Sequence, residues 1–216
     1  MFRNYLVTAV RNIRRHKAYS FINIAGLAIG LACSFFIALW VQDELSYDTY
    51  LEDGDQVYQV MRHATFGENR VSTTSLPKPL AAALADDYPE ITHTALGSWE
   101  HEMLFSRENT ALRAPGRYFG PDFFAIFKLP MIVGDPETAL LDPLSVAMSE
   151  SMVERHLGAD WRTREDLLGT TFRVDNRIDV QLTAVFKDLP SASSLQMDFW
   201  GSRDLSWRAS SSGSRC

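Results

Sequence analysis

The chain has 216 residues, of which 46% are hydrophobic, and a formal net charge of −6. Five bases precede the first long apolar segment, and the remaining 16 Lys and Arg face 27 Asp and Glu, so the rest of the chain carries −11. Because phosphate binding requires clustered bases, this balance argues against nucleic acid as a partner. The only cysteines, Cys33 and Cys216, lie in the apolar segment and at the C-terminus, so no disulfide staples the domain between them.

Residues 1–17 predict a cytoplasmic amphipathic basic helix that lies on a membrane surface. Apolar residues recur at helical spacing at Phe2, Leu6, Val10 and Ile13, and the bases fall on the other face. These bases are Arg3, Arg11, Arg14, Arg15 and Lys17, with no acid among them. The alternative is a solvated tail without a fixed structure.

Residues 18–42 predict a transmembrane helix, because Phe21 to Val41 contains no charged residue. A helix of that length rises about 31 Å, close to the hydrocarbon thickness of a bilayer. A core helix of a soluble protein remains an alternative, but helices of this length normally show a polar stripe. A cleaved signal peptide is a second alternative. Its apolar core is usually about 7–15 residues and ends at a small-residue cleavage site, which the sequence after Trp40 lacks.

The flanks of the apolar segment predict its direction in the membrane. The bases come before it, whereas six acids and no base follow it before Arg62: Asp43, Glu44, Asp48, Glu52, Asp53 and Asp55. Since positive flanks stay in the cytoplasm, we expect the N-terminus inside and the residues after 42 outside.

Three small residues, Gly26, Gly30 and Ser34, are spaced four apart within the apolar segment. Such a stripe lets a second helix approach closely, so we predict helix packing at these positions in addition to contact with membrane lipid.

Residues 43–200 predict an α+β domain of short strands and helices that follows the single transmembrane helix. The expected strands are 57–62, 91–99, 103–107 and 145–148, together with a hairpin of 171–174 and 178–186 across Asp175-Asn176-Arg177. The expected helices are 76–88, 123–127 and one that ends at Leu157, capped by Ser149 or Ser151 and stopped by Gly158. Residues 201–216 are rich in serine and predict a disordered or aberrant tail.

The sequence lacks the usual catalytic patterns. No lysine lies in a phosphate-loop setting, and His101-Glu102 is not followed by the second histidine of a zinc helix, since Phe105 takes that place. His93 and His101 have no third metal ligand nearby in the sequence. Aromatic residues at 119, 123, 124 and 127 could line a groove, but their spacing favours a core. We therefore expect no catalytic residue, no cofactor and no metal ion.

Several segments resemble one family of membrane proteins. RNIRRHKAYSFINIAGLAIGLACSFFIALWVQDELSYDTY, residues 11–50, resembles the opening of the MacB/FtsX-type ABC transporter permeases. FFAIFKLPMIVGDPETALLDPLSVAMSESMVERHLG, residues 123–158, is similar to the periplasmic core domain of that family, and so is VFKDLPSASSLQMDF, residues 185–199. The resemblance covers about residues 2–200.

This resemblance implies a permease subunit in the bacterial inner membrane, with residues after 42 in the periplasm. Such a subunit is non-catalytic and couples the movement of a cytoplasmic ABC ATPase to the periplasmic domain, for export or mechanotransmission. The implied partners are that ATPase and a second permease copy. The alternative is a single-span, membrane-anchored periplasmic binding or sensor domain.

Permeases of this family continue with three further membrane helices, whereas this sequence stops before them. We therefore expect a truncated product, in which the tail after residue 200 has the character of a shifted reading frame.

Overall fold

The computed structural model describes residues 2–205, which divide into two compact units between Tyr47 and Asp48. The first unit holds two helices, and the second holds a sheet-rich domain with short helices. The predicted α+β class with one apolar N-terminal helix is confirmed.

In the first unit, helix α1 spans Phe2–Arg15 and helix α2 spans Lys17–Glu44. His16 separates them because its φ of −121° and ψ of 57° are not helical. α1 ends on Arg14 and Arg15, where positive charge complements the helix dipole. None of the 28 residues of α2 is buried. Among the described residues, α2 is the one helix long and apolar enough to cross a membrane.

In the second unit, seven strands form a mixed sheet in the order β5-β8-β6-β9-β4-β3-β7. Their bounds are β3 His101–Arg107, β4 Thr110–Phe119, β5 Met131–Val133, β6 Ser145–Ser149, β7 Thr171–Val174, β8 Ile178–Phe186 and β9 Phe199–Ser202. β7 also pairs with β8, so the strand order closes on itself. The pairs β4–β9 and β6–β8 are parallel, and the others are antiparallel.

A separate two-stranded antiparallel sheet consists of β1 Arg62–Phe66 and β2 Asn69–Thr73. The helices of this unit are α3 Leu80–Asp87, α4 Phe123–Phe127 and α5 Glu150–Leu157. Short 3₁₀ turns lie at Gly54–Gln56 and Trp161–Thr163.

Two apolar clusters cover the seven-stranded sheet. One contains Phe105, Phe172 and Phe199 with the apolar face of α5, and the other contains Phe123, Phe124 and Trp200. Successive residues of β6 alternate between them: Val146 and Met148 join the first cluster, and Ala147 joins the second. β6 is therefore buried on both faces, which explains why its sequence is an uninterrupted run without charge.

Local signals predicted several elements correctly. β3, α4, β6 and the β7–β8 hairpin lie where we expected them. Asp175 and Asn176 have φ values of 48° and 56°, the left-handed conformation that short polar side chains tolerate in a turn. Of the two candidate caps of α5, Ser149 is the cap: its Oγ accepts a hydrogen bond from the Met152 amide at 3.2 Å. α5 ends at Gly158, whose φ is 87°.

Two predicted strands are wrong. Of residues 57–62 only Arg62 belongs to a strand, and residues 91–99 form none beyond a bridge between Gly97 and Phe119. In residues 91–99 a side chain takes the place of a strand partner, because the Thr94 amide donates a hydrogen bond to Asp122 Oδ2 at 3.3 Å. The predicted helix over 76–88 is shorter, Leu80–Asp87. The sequence analysis did not predict β2, β4, β5 or β9.

The predicted start of the tail is also wrong. Gly201 and Ser202 complete β9, where they pair with Tyr118 and Phe119, and Leu205 is only 2% exposed in the core. The prediction relied on serine content, which does not distinguish a disordered tail from small residues in a strand. Gly201 is small because it lies beside an aromatic ring: a Cβ on it would lie 2.7 Å from Tyr118. The disorder predicted for residues 206–216 lies outside the described residues.

Candidate coupling site

Helix α2 exposes large apolar side chains around its whole circumference. Phe21 is 73% exposed, Phe36 69% and Trp40 64%. In water these surfaces would each cost on the order of 1.5–3 kcal/mol relative to burial, so the helix requires an apolar environment. No charged residue interrupts the helix between Lys17 and Asp43.

The small-residue stripe forms an open strip on α2. A Cβ built on Gly26 or Gly30 would meet no atom within 4 Å. The Ser34 hydroxyl is satisfied within the helix, because its Oγ donates to the Gly30 carbonyl at 2.9 Å. The strip therefore has room for another helix and needs no polar partner, and its packing role stays a prediction.

The predicted basic flank lies on α1 and the start of α2. Arg11, Arg14, Arg15 and Lys17 are exposed, and Arg3 belongs to α1. α1 contains no acid, and the first turn of α2 contains none either. The opposite end of α2 carries Asp43 and Glu44. The charge asymmetry read from the sequence thus places the bases on α1 and at Lys17, the first residue of α2, and acids at the C-terminal end of α2.

The chain that follows α2 is fixed to the α+β domain by Asp48. Its carboxylate accepts hydrogen bonds from the Ser194 amide (2.9 Å) and the Ser194 hydroxyl (2.6 Å). Its own amide donates to the Ala192 carbonyl at 2.9 Å. Asp48 adopts a φ of 56°, which lets backbone and side chain reach the same loop. Hydrogen bonds to a charged group contribute about 1.5–3 kcal/mol each, so this attachment is strong for a half-buried site.

Neighbouring residues strengthen the attachment. The Tyr50 hydroxyl and Ser193 Oγ share a hydrogen bond of 2.7 Å, and Tyr50 and Leu51 pack against the cluster of Phe123 and Trp200. Burial raises the pKa of Tyr50, the Ser193 hydrogen bond lowers it, and the Asp48 charge raises it. The phenol therefore stays neutral and can donate at physiological pH. We call residues 48–53 the post-helix segment and residues 192–195 the anchoring loop.

An ion pair holds the end of the post-helix segment. Lys128, at the C-terminal end of α4, donates to Asp53, and this hydrogen bond raises the pKa of Lys128. The lysine is therefore fully charged when it meets the carboxylate. Since α4 is built on the buried residues Phe123 and Phe124, this pair ties the post-helix segment to the second apolar cluster.

Sequence reasoning missed this site. Asp48 and Asp53 were interpreted only as part of an acidic flank, and serines 193 and 194 only as part of the family-like segment 185–199. The position of Asp48 shortly after the apolar helix is the one sequence feature that could have indicated this site. Nothing in the local sequence links Asp48 to Ser194, which is 146 positions away.

The histidines considered as metal ligands lie apart. His93 Nδ1 is 3.8 Å from Asp122, and the His101 ring contacts Tyr118 with centroids 5.5 Å apart. Within residues 2–205, no three His, Cys, Asp or Glu residues converge as metal ligands would. The aromatic run belongs to the core as its spacing favoured, since Phe123 and Phe124 are buried and Phe119 and Phe127 pack on them.

The described chain thus has one candidate membrane-spanning helix, followed in the sequence by an α+β domain. The family model of the MacB-like periplasmic core domain matches residues 20–210, so the chain belongs to this family. The family consists of periplasmic domains of ABC transporter permeases, which are generally non-catalytic. The resemblance seen in the sequence is confirmed, and the match continues ten residues past the limit of 200 that we expected.

Three solved structures are similar to this chain. A domain of a permease protein from Porphyromonas gingivalis has 21% identity and a TM-score of 0.49, covering 64% of this chain and 56% of that one. The periplasmic region of MacB from Actinobacillus actinomycetemcomitans has 14% identity and a TM-score of 0.42, covering 61% and 60%. The extracellular domain of the noncanonic ABC-type transporter YknZ from Gram-positive bacteria has 13% identity and a TM-score of 0.40, covering 56% and 58%.

The chain thus spans 56–60% of the length of these three structures. No curated protein matches the chain.

Proposed function

We propose that this chain forms the N-terminal helix and periplasmic core domain of a permease subunit in a MacB/FtsX-type ABC transporter. α2 crosses the inner membrane with α1 in the cytoplasm and the residues after 42 in the periplasm. ATP hydrolysis takes place on a partner ATPase, and a second permease copy completes the membrane part. The chain itself performs no chemistry.

The single observation that carries the proposal is the attachment of the post-helix segment to the anchoring loop. Four hydrogen bonds and one ion pair join residues 48–53 to the domain directly after the apolar helix. The segment that follows α2 in the sequence is therefore fixed to the apolar cluster of Phe123 and Trp200, which suits a subunit that transmits movement. A simple anchor needs no such attachment.

Orientation in the membrane supplies the first test. In a chain with Cys33→Ala and Cys216→Ser, single cysteines are placed at Thr8, on α1, and at Asn109, in the exposed turn between β3 and β4. We expect an impermeant maleimide to label Asn109→Cys on intact spheroplasts, and Thr8→Cys only after lysis. Labelling of Thr8→Cys alone on intact spheroplasts, or recovery of the chain in the aqueous fraction without detergent, would contradict the proposal.

Association with an ATPase supplies the second test and separates the proposal from an anchored sensor domain. The full chain, solubilised in mild detergent from its native membrane, is expected to purify with an ABC ATPase. Purification with a periplasmic ligand or kinase, and no ATPase, would favour the sensor.

A further inference from the structure

Two adjoining hollows lie where α1 meets α2. The larger has a volume of about 520 Å³ and is lined by residues of both helices, among them Asn12 from α1 and Asn23 from α2. The smaller, of about 270 Å³, is lined by Thr8, Arg11, Asn12 and Arg15 of α1. Because Asn12 lines both hollows, they form one open groove, which we call the junction groove.

The lining of the junction groove changes from charged to polar to apolar along the chain. Arg11 and Arg15 supply positive charge at the α1 end. The neutral donors Tyr19 and Asn23 follow, and Ile24, which is 56% exposed, lies at the far end. Within the described residues, none of the four polar side chains has a hydrogen bond or an ion pair. Donors that find no acceptor in their own chain call for an acceptor from outside it.

Depth in the membrane indicates what that acceptor is. The uncharged run begins at Phe21, so Arg15 lies before it, at the level of lipid headgroups. Asn23 lies eight residues further, about 12 Å deeper along the helix, where an unpaired amide is costly. A phospholipid presents its groups in the same order, with the phosphate outermost, then the ester oxygens, then the acyl chains. The groove therefore matches one lipid molecule from headgroup to tail.

The charge of the first unit favours a lipid with a net negative charge. Five bases lie among residues 2–42 and no acid precedes Asp43, so the positive charge around the groove is not compensated by the chain. Guanidinium groups bind phosphate oxygens through paired hydrogen bonds, and basic hollows at the cytoplasmic ends of membrane helices suit anionic headgroups. A zwitterionic lipid would bring its own positive charge close to these bases.

We propose that the junction groove binds one anionic phospholipid of the cytoplasmic leaflet. Arg11 and Arg15 hold its phosphodiester group, Tyr19 and Asn23 donate to its ester oxygens, and an acyl chain lies along Ile24. The inference rests on the membrane orientation in the proposed function and goes beyond it by naming a ligand. It also differs from the general attraction of a basic helix to a charged surface, which requires no particular face of the helix.

Lipid retention by the full chain tests the proposal. The chain is solubilised in mild detergent and offered equal amounts of phosphatidylglycerol and phosphatidylcholine with the same acyl chains. Native mass spectrometry then counts the lipids that stay bound. We expect one phosphatidylglycerol per chain, retained at least fivefold more than phosphatidylcholine. Equal retention of the two lipids, or retention of neither, would overturn the proposal.

A matched pair of arginine variants separates a groove from diffuse attraction. Arg15→Gln is expected to reduce retained phosphatidylglycerol at least fivefold. Arg14→Gln removes the same charge from a residue that lines neither hollow, about 100° around the helix, and should reduce it less than twofold. Circular dichroism checks that both variants keep their helices. Equal losses from the two variants would mean that only total charge matters, and would overturn the proposal.

The deeper end of the groove is tested without a change of charge. Asn23→Leu should reduce retained phosphatidylglycerol at least twofold, and Asn23→Gln should restore it, because the longer amide can still donate. No effect of Asn23→Leu would overturn the placing of the ester oxygens at Asn23.

A soluble competitor tests whether the ligand is a lipid. Glycerol phosphate, which carries the phosphate but no acyl chain, should not displace the lipid at equal concentration. Displacement by it would assign the groove to a soluble anion and overturn the proposal. The maleimide and ATPase tests do not measure lipid retention, so a negative result here leaves the proposed function standing. A failed ATPase test, in turn, leaves retention in detergent unchanged.

Discussion

At the scale of single residues, Asp48 shows how an acid in a charged run acquires a specific role. Six acids follow the apolar segment, and all of them satisfy the positive-inside argument equally. Asp48 differs because its carboxylate meets two donors of one serine, and because its positive φ is one that Asp accepts more readily than most residues. Its role in the attachment follows from the position of these two donors. Its negative charge contributes to the acidic flank and also strengthens the hydrogen bonds from Ser194.

We predict that Asp48→Ala lowers the free energy of unfolding by about 2–3 kcal/mol, since two charge-assisted hydrogen bonds are lost. It should also speed amide hydrogen exchange at Ser194 in the full chain in detergent. Asp55→Ala is the matched control: Asp55 is exposed in a neighbouring turn, and its removal should change stability by less than about 0.5 kcal/mol. An equal effect of both changes would show that charge alone matters here.

His156 is a buried titratable residue whose protonation opposes folding. It is 9% exposed, both ring nitrogens lack a hydrogen-bond partner within the described residues, and the ring packs on Phe172 with centroids 5.3 Å apart. Burial lowers its pKa below the ordinary 6.5, and the charges of Arg155 and Arg107 lower it further. The neutral ring therefore suits the site, and the cation does not.

We predict that the domain loses stability as the pH falls below about 6.5, down to the lowered pKa of His156, because the unfolded chain binds the proton first in that window. His156→Phe keeps the aromatic contact and should flatten this part of the stability–pH curve, as measured by thermal unfolding. If His156→Phe retained the full slope, other groups would be responsible.

At the scale of elements, Gly134, within the family-like segment 123–158, is a position where the structure requires glycine. It follows β5 with a φ of 101°, and a Cβ there would lie 2.7 Å from the Thr183 carbonyl oxygen and 2.8 Å from Ala184 Cα. Both atoms belong to β8, the strand that β5 pairs with. The next residue, Asp135, begins a turn in which its Oδ1 accepts from the Glu137 amide at 3.0 Å. Glycine is required here both for conformation and for space.

We predict that Gly134→Ala destabilises the domain by more than about 3 kcal/mol, whereas Gly169→Ala costs about 1–2 kcal/mol. Gly169 has a similar φ of 86° but meets no atom within 4 Å of a built Cβ, so it isolates the conformational cost. Denaturant unfolding of the two variants checks the difference. Similar losses would mean that β5 moves away from β8 with little cost.

At the scale of the whole molecule, the open strip on α2 is where we expect a second membrane helix. Gly26 and Gly30 leave the backbone accessible, and packing energy between helices in lipid depends on such close approach.

We predict that Gly26→Leu with Gly30→Leu reduces association of the chain in membranes at least fivefold, measured by energy transfer between two labelled copies. Ala28→Leu with Ala32→Leu places the same side chains on roughly the opposite side of the helix and is the matched control. Loss with both pairs would point to a general effect of bulk. No loss with either would remove the strip from the assembly.

The sequence by itself determined the features that depend on neighbouring residues. An uncharged run between a basic and an acidic flank requires no tertiary information, because its cost in water is set by its own side chains. A serine cap at position 149 or 151, the Gly158 stop and the Asp175-Asn176 turn were predictable for the same reason, whereas the choice of Ser149 came from the structure. The motifs of residues 11–50, 123–158 and 185–199 together indicated the family.

Only the tertiary structure decided the features that join distant residues. The parallel β4–β9 pair, the closure of β7 on β8, and the bonds between Asp48 and Ser194 follow from how the chain folds back. β9 was hidden because Phe199-Trp200-Gly201-Ser202 is short and fully buried, so it shows no alternation. Period and composition report which residues avoid water, but they do not report which distant segment covers them. The attachment of residues 48–53 to the anchoring loop depends on that distant pairing, so the tertiary structure alone decided it.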